Sequence, residues 1–143
     1  YKHFPSKDHL ILAALEAMDG RAKASVRKSV CVAAEDPERR FVALAKAAAN
    51  SYQHGCVFVL AAQEFPTSDH PVHRATREHK RRMRSFFAEL AEEAGAVDPE
   101  EAGARAQLII DGLYSAGAVC TTDARAATKH AEALLQSLIP PGT

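Results

Sequence analysis

At 143 residues the chain is about one domain long, enough to bury roughly two thirds of its unfolded surface without help from metal or disulfides. Lysine plus arginine and aspartate plus glutamate stand at 18 each, so no global field draws the chain to nucleic acid or an anionic membrane, and any such contact is local. Three cysteines without a C-x-x-C pair argue against a disulfide framework, and no apolar run approaches the roughly 20 residues of a bilayer span.

The opening residues lack the apolar core and cleavage pattern of a signal peptide, so the expected setting is the cytoplasm. Without an initiator methionine, further residues are expected ahead of Tyr1. Alanine occurs 29 times and apolar residues recur at three- and four-residue spacing, which favours an all-α fold of about six helices. Ser6 is the expected N-cap of a first helix running through Lys28, with Leu10, Ala14, Ala17 and Met18 as its stripe. Asp36-Pro37-Glu38 starts a second, carrying Phe41, Leu44, Ala45, Ala48 and Tyr52 to the His54-Gly55 stop.

Residues 56–65 are apolar almost throughout, which fits a buried strand or a short buried helix; with no second strand candidate to pair with, helix is expected. A turn at 66–71, with Asp69 as the expected cap, launches the most periodic helix: Val72, Ala75, Thr76, His79, Met83, Phe86, Phe87, Leu90 and Ala94, ending at Gly95. Its arginines 74, 77, 81 and 84 share the opposite, solvated face. Asp98-Pro99-Glu100 starts a helix with Leu108, Ile109, Gly112, Leu113, Ala116 and Val119. Asp123 is expected to cap a last one, with Ala127, Ala131, Leu134, Leu135 and Leu138, before Pro140-Pro141.

No Gly-rich phosphate loop, nucleophile elbow or H-E-x-x-H occurs, and Asp69, His70 and His73 lack a further ligand at a recognised zinc interval, so neither an enzyme nor a metal site nor a cofactor is expected. The polar residues that fall on otherwise apolar faces point to a ligand pocket instead. His79 stands between Ala75 and Met83, Tyr52 and Tyr114 offer hydroxyls, and Phe58, Met83 and Phe86 are the expected walls. For each of these, ordinary core packing is the competing reading.

The string Tyr1-Lys2-His3-Phe4-Pro5-Ser6-Lys7-Asp8-His9-Leu10 resembles the Tyr-x-His-Phe-x-Ser-Lys-x-x-Leu signature joining the recognition helix of TetR/AcrR transcriptional regulators to the connector helix behind it. Gly55 to Phe58, Glu64-Phe65, Asp69 to Val72 and Glu78 to Lys80 are similar to the regulatory domain of one TetR subgroup, and Gln107 to Gly112 to the family's penultimate helix. The resemblance implies that residues 1–5 end a recognition helix whose remainder, with the rest of the DNA-binding domain, is absent from this chain. It implies that residues 6–143 form an effector-binding and dimerisation domain. Tyr1, His3 and Lys7 would then contact DNA phosphates, which position a protein without reading sequence.

It further implies a homodimer through the last two helices, with Leu108, Gly112, Ala116, Leu134, Leu135 and Leu138 at the interface, and a repressor released from double-stranded operator DNA by a small apolar effector. A helical dimerisation or adaptor module without DNA binding, and a small helical enzyme using the histidines, are the rival readings.

Overall fold

The structure, a computed structural model, describes residues 4–51 and 55–142, and among them it is all-helical. Seven helices follow in order: α1 Lys7–Ala33, α2 Pro37–Val42, α3 Leu44–Ala49, α4 Val57–Glu64, α5 Pro71–Glu93, α6 Pro99–Val119 and α7 Thr121–Gln136. The starts follow from side-chain acceptors that satisfy orphan N–H groups. Ser6 Oγ accepts from His9 N at 3.4 Å, Asp36 Oδ1 from Arg39 N at 3.0 Å and Asp98 Oδ1 from Glu101 N at 3.0 Å, the last two with proline in the first turn.

At the end of α5, Gly95 takes φ 82°, and Gly95 N and Ala96 N donate to Glu92 O and Ala91 O. This Schellman closure needs a left-handed residue, which glycine adopts without a Cβ penalty.

Several expectations change. α1 is five residues longer than expected. The second helix is two, because the chain turns at Ala43 between α2 and α3. His70, not Asp69, caps α5. α7 begins at Thr121, so Asp123 lies in its first turn, where a carboxylate still complements the helix dipole, and does not cap it. α4 is helical but not buried: Phe58 and Ala61 face inward while Val57, Val59 and Leu60 are exposed.

The expected stripe of α1 is also displaced. Leu10, Ala14, Ala17 and Met18 are exposed, whereas Leu15 and Val30 are buried and Ile11, Leu12, Ala22 and Val26 are half-buried. Asp19 interrupts that inner row, and a carboxylate on the inner face masks the period that apolar residues alone would show.

Two hydrophobic clusters hold the fold. The larger joins Val30 of α1, Phe41, Leu44 and Ala48 of α2 and α3, Phe86, Phe87 and Leu90 of α5, Ala106, Ile110 and Leu113 of α6, and Ala131 and Leu135 of α7. The smaller is Leu15, Phe58, Ala61 and Val72, from α1, α4 and α5. α5 packs most extensively on α6, and α6 on α7. At the α5–α6 crossing Gly103 permits backbone contact: a Cβ there would lie 2.6 Å from Ala88 N. No helix among the described residues is long and apolar enough to cross a membrane.

Candidate functional site

The two clusters leave a cavity of about 520 Å³ between them, bounded by α1, α3, α4, α5 and α6. Its apolar lining includes Met18, Ala22 and Val26 of α1, Leu44 and Ala48 of α3, Phe58 of α4, Met83 and Phe87 of α5, and Ile110 of α6. A concave, mostly apolar space of this size with a few polar groups suits a small organic ligand.

His79 lies at this cavity and is 7% exposed. Its ring stacks on Phe58 with centroids 3.5 Å apart and planes within 5°. Nδ1 lies 2.8 Å from Asp19 Oδ1, and Arg82 Nη2 lies 2.6 Å from the other carboxylate oxygen, Oδ2. Burial works to raise the Asp19 pKa, but the hydrogen bonds from Arg82 and His79, with their charges, outweigh it and hold the carboxyl below its usual range. Asp19 is therefore a carboxylate, which only accepts, and Nδ1 of His79 carries the proton it donates. Burial, opposed by Asp19 and assisted by Lys80 and Arg82, pushes the His79 pKa down, so the ring is neutral at pH 7.

The other polar lining groups are largely engaged. Lys80 Nζ donates to Asp111 Oδ1, and Gln107 Nε2 donates to Lys80 O at 2.7 Å. Burial, with the charges of Cys56 and Asp111, raises the Tyr114 pKa against a hydrogen bond with Ser51, so the phenol stays protonated. Arg21 is exposed at the cavity's edge.

Of the pocket residues expected from sequence, Phe58, His79, Met83 and Tyr114 line one cavity, and Tyr52 lies outside the described residues. Phe86 does not line it. It is buried in the large cluster, with Lys23 Nζ and Arg27 Cζ 5.6 and 5.2 Å from its ring centre, and its neighbour Phe87 takes the cavity wall. Sequence reasoning missed Asp19, Arg82 and the α1 wall. Met18, Ala22 and Val26 are spaced by four, a signal present in the sequence but hidden by the displaced stripe.

Besides its buried and half-buried apolar residues, α1 is tied to α5 by polar links. Lys23 pairs with Glu89 at 2.9 Å, Arg27 with Glu93 at 3.1 Å and Glu89 at 3.5 Å, and Asp8 with His70 Nε2 at 3.3 Å. His70 serves twice, since its Nδ1 also accepts from Val72 N at 3.1 Å, while His73 Nδ1 donates to Phe65 O at 2.8 Å. The Arg74, Arg77, Arg81 and Arg84 face is exposed.

Lys7, the first residue of α1, is exposed and lies 3.8 Å from Glu64; Tyr1 and His3 fall outside the described residues. On the far side of the fold, Leu108 is 73% exposed, Leu134 is 54% exposed, and Gly112 has open space where a Cβ would stand. Val119, 86% exposed, continues that face of α6. Leu135 is fully buried in the large cluster and serves the core of the single chain, while Ala116 and Leu138 pack against that cluster and are half-buried.

No family model matches the chain. Over 133 residues, 90% of this chain and 70% of the relative, it is 24% identical to the HTH-type transcriptional regulator YjdC of Escherichia coli (strain K12), and equally to YjdC of Shigella flexneri. The crystal structure of SCO4454, a TetR-family transcriptional regulator from Streptomyces coelicolor, is similar with a TM-score of 0.83 at 28% identity, over 96% of this chain and 76% of that one.

Proposed function

We propose, from its likeness to TetR-family and HTH-type transcriptional regulators, that the chain is the effector-sensing and dimerising part of a repressor that leaves its operator when a small apolar molecule fills the cavity. One observation carries this reading: the cavity uses α1 as a wall, through Met18, Ala22 and Val26, so an occupant bears on the helix that starts at Lys7. We assign residues 1–5 to the end of the recognition helix and the remainder of the DNA-binding domain to sequence outside this chain. Tyr1, His3 and Lys7 then approach DNA phosphates, and the 3.8 Å pairing of exposed Lys7 with Glu64 is weak enough to exchange for one. In this reading the protein is cytoplasmic, with no catalytic role and no cofactor.

The energetics support α1 as the moving part. Its exposed ion pairs with α5 contribute about 0–1 kcal/mol each, so the resistance to a shift of α1 lies in buried Leu15 and Val30 and in the Asp19 contacts. An effector coupling of about 1–3 kcal/mol is enough to alter operator affinity. In the assembled dimer the two recognition helices span half-sites about 34–36 Å apart, and a few ångströms of displacement spoils that register. The exposed Leu108, Gly112, Val119 and Leu134 supply the two-fold contact.

A thermal-shift screen of small apolar molecules on the full-length protein, followed by operator gel shifts with each hit, tests the reading. Hits are expected to release operator from wild type and to lose that effect in His79→Ala, with helical content unchanged. Equal affinity of a hit for DNA-bound and free protein rules the mechanism out.

A further inference from the structure

Ligand class follows from what the cavity's polar atoms have left to offer. Donors predominate among the groups already in use: Lys80 Nζ is taken by Asp111 and Gln107 Nε2 by the Lys80 carbonyl. Arg21 is exposed and keeps its guanidinium in water at the edge. His79 differs. Its Nδ1 proton is committed to Asp19, itself clamped by Arg82, so the neutral ring presents a lone pair, and only a lone pair, at Nε2. Among the described residues no group bonds Nε2, and His79 lines the cavity, so this lone pair is what the ring has left to offer an occupant. The stack on Phe58 covers one face of the ring and leaves its edge as the approach.

We infer that the occupant of this cavity is an apolar molecule bearing a hydroxyl, whose O–H donates to Nε2 of His79 while its body lies against Met18, Phe58, Met83, Phe87 and Ile110. The inference rests on the cavity being the effector site. Asp19 is a positioning residue here: it fixes the tautomer, and with it the polarity of the contact that orients the ligand. A hydroxyl in such a site is distinguished from its methyl ether, because the ether offers no proton and strands Nε2 against oxygen lone pairs.

The experiment compares three probes of nearly one shape, 2-naphthol, 2-methoxynaphthalene and naphthalene, by calorimetric titration of the wild-type protein and of His79→Phe, with circular dichroism confirming the variant's helical content. The expected result is that wild type binds 2-naphthol about tenfold more tightly than the other two, and that the preference disappears in His79→Phe. Three equal affinities in wild type, or a naphthol preference that survives in His79→Phe, overturns the inference and leaves the cavity as an effector site. Binding of none of the three overturns both. If His79→Phe does not fold, the comparison of the three probes on wild type decides alone.

Discussion

The cavity has two long walls, α1 and α6, held in place by different forces. α6 is set against α5 and α7 by Ala106, Ile110 and Leu113, with Gly103 allowing the α5 backbone to within contact distance; its position is decided by close packing, which does not deform gradually. α1 buries two residues in 27, half-buries Ile11, Leu12, Ala22 and Val26, and adds charged pairs with α5 that are open to water. One wall is closely packed and the other is held by fewer buried residues. The tether has one strong point, where Asp19 reaches inward to His79 and Arg82 beside the cavity.

That contrast can be broken from either side. The largest effect is expected at the packed end: Leu135→Ala removes a fully buried side chain and should cost about 3 kcal/mol, read as a lowered urea midpoint. Next, Gly103→Ala drives a Cβ into backbone atoms of Ala88 that cannot move independently, and should cost about 1–3 kcal/mol by the same measurement, with Gly20→Ala in α1, which meets nothing, as the control.

Acid should loosen the Asp19 point. The folded His79 pKa lies below its ordinary 6.5, so the unfolded chain takes up that proton first. The stability this contributes is whole above pH 6.5 and is lost as pH falls through the lowered folded value. Asp19, held below 3.8, adds a second loss of the same sign at lower pH. Urea midpoints should therefore fall from pH 7.5 to 5, and His79→Phe should flatten that slope. The smallest effects belong to the charged seam. Lys23→Ala and Arg27→Ala should each cost no more than about 1 kcal/mol, a difference that shrinks further in 1 M salt.

How legible these features are depends on the kind of signal. Helix starts at Asp36-Pro37 and Asp98-Pro99 are local chemistry, a side-chain acceptor beside a residue that needs no donor, and they stand where the sequence puts them. His79 is also legible, as a polar residue interrupting the apolar row of α5. Its partner is not, because Asp19 lies 60 residues away on a helix whose inner face it disguises. Phe86 and Phe87 are adjacent aromatics, and periodicity cannot say which one meets the cavity; the packing of α1 over Phe86 decides it. Likewise Leu134 and Leu135 are neighbours with opposite fates, 54% exposed and fully buried.

By itself the sequence determined that this chain is helical, where several of its helices begin, and which regulators it resembles, since propensity, capping and a contiguous motif are all written within a few residues of one another. Only the tertiary structure decided which face of α1 turns inward, that a cavity separates two hydrophobic clusters, and that His79 is bound to Asp19. Those outcomes depend on the approach of segments far apart in the chain, and short-range periodicity carries no record of the partner a residue will meet.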